Sequence, residues 1–232
     1  MNAGQSSISL ALDDARARIA AAARRSGREP EKVTLIGVVK TVAPERIREA
    51  VGAGLADVGE NRVQEAAAVV AAVGRRAARW HMVGHLQRNK AGRAIELFDR
   101  VHGIDDFELA AAISRRAEAA GLKLPVMVQV NVSEEASKFG VAPEELSRLV
   151  ERVAGLAGLA LDGVMSIGPE VARPEEARPY FVRTRELRDA AERETGARLP
   201  ELSMGMSGDF EVAVEEGSTM VRVGTALFGG RP

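Results

Sequence analysis

Apolar positions along the chain fall into two alternating patterns. Short runs of Val, Ile, Leu and Met cover Val33–Lys40, Leu55–Asn61, Trp80–His85, Arg100–Ile104, Pro125–Val132, Leu161–Ile167, Glu201–Ser207 and Met220–Phe228. Most are nearly continuous rather than alternating, as strands buried on both faces of a parallel sheet tend to be. Between them lie longer Ala-rich amphipathic segments, among them Pro44–Ala53, Arg62–Val73, Phe107–Ala120, Pro143–Val153 and Glu175–Glu194. Several open on a proline suited to a first helical turn, and Gly54, Gly74, Gly121 and Gly217 stand where helices should stop. A further amphipathic stretch, Ser7–Arg25, precedes the first run. Eight strands with helices between them predict an α/β fold, a single (β/α)8 TIM barrel with an extra N-terminal helix, over an open doubly wound sheet. The chain ends soon after the eighth run, so one barrel domain over residues 1–232 is expected.

Composition narrows the function classes. Lys plus Arg number 32 and Asp plus Glu 33, a formal charge of −1, which supplies no global field for gripping nucleic acid or an anionic membrane. Cysteine is absent, which excludes disulfides, thiolate metal sites and a cysteine nucleophile. No run reaches the ~18 apolar residues of a membrane span. Asp13, Asp14, Arg16 and Arg18 interrupt any apolar leader, so a cytoplasmic location is expected.

In such barrels the chemistry gathers at the C-terminal ends of the strands. The first run ends in Lys40, where desolvation would favour a neutral, nucleophilic amine able to form a Schiff base; a lysine that only snorkels out of the barrel end reads the same way. His81 and His85 stand four apart but share no helix face and have no carboxylate companion, so no metal site is expected, and His102 is assigned no role. Ser207, Gly224 and Thr225 at the ends of the last two runs can supply hydroxyls and close backbone approach for a phosphate; glycines that merely relieve crowding at the rim are the plain alternative. A lysine amine opposite a phosphate cradle suits pyridoxal 5′-phosphate (PLP), and it also suits a cofactor-free Schiff-base aldolase acting on a sugar phosphate.

Over almost its full length the chain resembles the PLP homeostasis protein family, relatives of the barrel domain of alanine racemase. The matching stretches are Gly37-Val38-Val39-Lys40, Gly59-Glu60-Asn61-Arg62, His81–Lys90, Ser137–Gly140, Gly163–Ser166, Leu202-Ser203-Met204-Gly205-Met206-Ser207 and Gly217–Gly229. Val83 and Gly168 are mild departures that touch no expected contact. The resemblance implies that Lys40 carries PLP as a Schiff base and that Ser207 with the backbone of Gly224 and Thr225 holds the phosphate. Arg222 would face the pyridine nitrogen and, being a guanidinium, keep it unprotonated and a poor electron sink. Asn61, His81, Met82 and Met165 would line the ring, although methionines are also ordinary core filler.

The same resemblance implies a carrier that limits free PLP and passes it to other proteins, with PLP-dependent apoenzymes as candidate recipients, no catalytic residues and a monomeric state. A single-domain amino-acid racemase of low activity is the runner-up. Its second base would have to be a tyrosine, and the sole one, Tyr180, falls in the helical layer.

Overall fold

The computed structural model describes residues 6–133, 135 and 138–229. Within the Ser137–Gly140 stretch, Ser137 lies outside the described residues, as do the terminal Gly230, Arg231 and Pro232. Eight strands pair in sequence order, each parallel to its neighbours, and β1 (Thr34–Val38) closes onto β8 (Met220–Val223). Between them run β2 (Asp57–Glu60), β3 (Arg79–Met82), β4 (Arg100–Ile104), β5 (Leu124–Val130), β6 (Leu159–Ser166) and β7 (Glu201–Met206). The TIM barrel is the expected fold, and each of the eight runs overlaps one strand; β3, β5 and β6 begin one or two residues before their runs.

The helices are α1 (Ser7–Arg25), α2 (Pro44–Gly52), α3 (Val63–Val73), α4 (Ala91–Leu97), α5 (Phe107–Ala119), α6 (Leu146–Ala154), α7 (Arg178–Thr195), α8 (Phe210–Glu215) and α9 (Thr225–Phe228). Helix α1 has the limits its polarity pattern predicts. Ile8, Leu12, Ala15, Ile19, Ala22 and Ala23 form its buried stripe, and the Ser6 hydroxyl caps its start by accepting from the Ser9 N–H. It packs against α8, α9 and α2, and so fills the outer layer where the four-residue α9 is too short to cover the sheet. Gly54, Gly74, Gly121 and Gly217 all take positive φ, as helix-terminating glycines do.

Two expectations of detail are corrected. The run Met220–Phe228 is a strand only to Val223; the chain breaks at Gly224 and its last four residues are α9. A short apolar run cannot by itself distinguish a strand from a buried helical turn, and here Leu227 and Phe228 are buried from a helix. The segments beginning at Pro143 and near Glu175 open as single 3-10 turns, Pro143–Glu145 and Pro174–Ala177, before α6 and α7 begin.

Most of the core lies between barrel and helices, with Trp80, Phe98, Phe181 and Phe210 among its largest fully buried side chains. Inside the barrel Ile36, Met127, Met165 and Met220 form a separate apolar plug. Among the described residues no helix is long and apolar enough to cross a membrane.

Candidate functional site

A cavity of about 660 Å³ opens where the strands end, within the usual size of a small-molecule site. Three constructions on its wall carry chemistry.

The first is Arg222 on β8. Its guanidinium is buried and donates from Nη1 to the Ser203 hydroxyl (2.6 Å) and from Nη2 to the Ser166 carbonyl (2.8 Å). Burial pushes its pKa down to about 10, with Asp209 opposing that shift, so it remains a cation at neutral pH.

The second is the turn after β7. Met206 N–H donates to Asp209 Oδ1 (2.6 Å) and Asp209 N–H to the Met206 carbonyl (3.0 Å), which closes a tight loop with Ser207 at its corner. The Ser207 hydroxyl accepts from the N–H of Gly224 (3.0 Å) and of Ala226 (3.3 Å). The early end of β8 is what brings those donors to the cavity. A Cβ on Gly224 would sit 3.3 Å from the Val38 carbonyl, so glycine lets this backbone pass close to β1. Convergent backbone N–H groups and a hydroxyl suit an anion.

The third is Asn61, whose buried Oδ1 has no hydrogen-bond partner among the described residues and which lines the same cavity. A buried unsatisfied acceptor is costly and is relieved by a ligand that donates to it.

The expected site residues divide accordingly. Asn61, Ser207, Arg222, Gly224 and Thr225 share the mouth cavity. Lys40 does not line it. Its side chain is exposed on a turn closed by Val42 N–H to the Val39 carbonyl, and it borders an adjoining cavity of about 380 Å³ whose wall also includes Val38, Gly224 and Thr225. Its neighbour Thr41 has φ +63°, unfavourable for a β-branched residue.

His81, Met82 and Met165 also lie away from the mouth. His81 points into the barrel, to Asp57 and His102; Met82, the next residue along the strand, belongs to the outer core; Met165 is part of the interior plug. His85 diverges from His81, facing Asp105 at 3.4 Å and stacking on Phe139 at 3.9 Å. Sequence reasoning passed over Asp209, whose place three residues after Met206 is the signal of a side-chain-capped turn.

Beside the mouth, Glu60 is buried, its Oε2 has no partner among the described residues, and burial pushes its carboxyl up to about 7. The folded protein therefore holds this proton more tightly than the unfolded chain, so stability falls as pH rises from 4.5 to about 7. The full effect is about 3 kcal/mol. Glu60→Gln should flatten that part of a denaturant-melt profile against pH; an unchanged slope would contradict the assignment.

Residues 10–232 match the alanine racemase N-terminal domain family. A protein of Aquifex aeolicus named pyridoxal phosphate homeostasis protein is 45% identical over 214 residues, covering 92% of this chain and 94% of that one. The chain belongs to the pyridoxal phosphate homeostasis protein family. The solved structure of PipY from Synechococcus elongatus with PLP bound superposes with a TM-score of 0.85 at 35% identity, covering 96% of this chain and 100% of PipY. Clostridium difficile alanine racemase shares the fold at a TM-score of 0.75 and 17% identity; the match covers 97% of this chain and 57% of the racemase.

Proposed function

We propose that this chain binds PLP in the barrel mouth, covalently through the Lys40 amine, and serves PLP homeostasis in the cytoplasm as a monomeric carrier rather than a catalyst. The observation that carries the reading is the grouping of the Arg222 guanidinium, the orphaned Asn61 acceptor and the Ser207 hydroxyl with Gly224 and Thr225 in one cavity. These fit the parts of PLP: an anionic tail for the cradle, a basic ring nitrogen for the guanidinium, a phenolic hydroxyl for Asn61. The name of the Aquifex aeolicus relative and the PLP-bound PipY structure support the same assignment.

Bound PLP supplies an electrophilic aldehyde and a conjugated ring able to withdraw electrons. The chain's own groups restrain the second property. Arg222, a donor only, would face the ring nitrogen and offer it no full proton. Tyr180 packs on the core cluster and does not line the cavity, so no tyrosine stands ready as a second base. Lys40 borders the adjoining cavity, separated from the mouth by Val38 and Gly224, and would supply the amine that condenses with the aldehyde with loss of water. Hydrolysis of that bond would free PLP for a recipient apoenzyme.

Titration of the purified protein with PLP should saturate at one equivalent with a yellow chromophore, and Ser207→Ala should weaken binding about tenfold, the loss of one charge-assisted hydrogen bond. Incubation with L- or D-alanine in deuterium oxide should leave the α-proton in place. Its exchange on the time scale of turnover would favour the racemase instead.

A further inference from the structure

A chain of buried polar groups crosses the barrel interior beneath the mouth. Asp57 on β2 faces His81 Nε2 on β3 at 2.9 Å; His81 Nδ1 faces His102 Nε2 on β4 at 2.9 Å; His102 Nδ1 faces the Ser203 hydroxyl on β7 at 2.9 Å. The next link is the 2.6 Å bond from Arg222. All five residues are buried, with His102 and Ser203 at 0% exposure. Five strands contribute to a polar line where a barrel interior would ordinarily be filled by branched aliphatic side chains.

Both ends of this line have fixed polarity. Arg222 can only donate, and an ionised Asp57 can only accept. Burial pushes the Asp57 carboxyl up, but hydrogen bonds from His81 and Arg79 outweigh it and hold the group below its usual range. Arg79 clamps both carboxylate oxygens, at 2.7 and 2.6 Å, from the other end of the barrel. At the centre, burial above all, with the charges of Arg222 and Arg100, drives the His102 pKa well below that of free histidine, so its ring is neutral.

With neutral rings only one arrangement satisfies every link. His81 carries its proton on Nε2 and gives it to Asp57; His102 carries its proton on Nε2 and gives it to His81; the Ser203 hydroxyl donates to His102 Nδ1. Ser203 Oγ then presents its lone pairs to Arg222. A cationic His81 would reverse the His102 tautomer and make Ser203 accept from both sides. The serine proton would then have no acceptor in the described bonds, and a second cation would share the interior with Arg222.

We propose that Asp57, His81, His102 and Ser203 form a one-directional hydrogen-bond relay that positions Arg222, His102 being the residue that fixes the Ser203 hydroxyl as the guanidinium's acceptor. The relay exists whether or not PLP binds; its consequence for the cofactor rests on the function proposed above. These residues position Arg222 and do not line the mouth cavity. His81 thereby takes a place in the barrel interior, and His102 becomes the midpoint of the line.

The test begins with ligand-free wild-type protein labelled with 15N-histidine. Two-bond correlation spectra at neutral pH should show His81 and His102 both neutral and both protonated on Nε2. An Nδ1–H tautomer or a cationic ring at either position would overturn the relay, and no variant needs to fold for this result. PLP affinity is then compared for Ser203→Ala and Ser203→Thr. Alanine should cost about tenfold, from loss of the acceptor that holds Arg222, and threonine, which keeps the hydroxyl, should restore most of it. Equal affinity of Ser203→Ala and wild type would show that the line does not position Arg222. Wild-type protein that binds no PLP would sink the proposed function, while the tautomer spectra would still decide the relay.

Discussion

Lys40→Ala should reduce borohydride-fixed PLP from near one equivalent to background, while leaving weaker, phosphate-dependent binding. Borohydride fixes PLP only where an amine has condensed with its aldehyde, so the label reports the bond and not the cradle. The cradle of Ser207, Gly224 and Ala226 and the Arg222 guanidinium do not depend on Lys40, which borders the adjoining cavity. Inorganic phosphate should therefore displace the residual ligand from the variant. Undiminished label in Lys40→Ala, with the modified peptide elsewhere, would remove Lys40 from the account.

Gly205→Ala should produce a large loss of stability. Gly205 has φ +90°, which a residue with a Cβ adopts only under strain. Its added methyl would lie 2.4 Å from the Ala213 Cβ and 3.0 Å from the Phe210 Cα, both on α8. Backbone strain of about 1–3 kcal/mol and overpacking of about 1–3 kcal/mol act together, for a loss of about 2–5 kcal/mol. In a chain of this size that lowers Tm by about 10 °C. Calorimetry reads the shift, and a change within about 2 °C would contradict the steric account. Because Gly205 directly precedes the Met206–Asp209 turn, the variant should also weaken PLP binding at temperatures where it remains folded.

The fold was legible because its signals are local. Continuous Val and Ile runs mark strands covered on both faces, the period of α1 marks its buried stripe, and the glycines after helices mark their ends. The gathering of Ser207, Gly224 and Thr225 at the barrel mouth was legible for the same reason, since all three fall at strand ends by sequence. What stayed hidden depends on parity and on approach across the barrel. His81 and Met82 are adjacent in sequence, so at most one can face the interior, and no local pattern says which. His102, Ser203 and Arg222 belong to separate strands, and only barrel closure brings them within hydrogen-bond reach. The eighth run concealed α9 because apolar content alone cannot separate a strand end from a helical turn.

Lys40 shows the limit in another way. Its place at the end of β1 could be read directly, but its exposure is set by the Val39–Val42 turn, in which Thr41 holds a conformation costly for a β-branched side chain. Residues are kept in such conformations by surrounding contacts. Rotation of this turn would carry the lysine between the two cavities.

The most direct measurement is diffraction from crystals of the intact chain grown with PLP. The account predicts the phosphate against Ser207 and the backbone of Gly224 and Thr225, the ring nitrogen facing Arg222, and density continuous from the Lys40 amine to the ligand. PLP attached to a different lysine, or seated with its ring nitrogen away from Arg222, would contradict it.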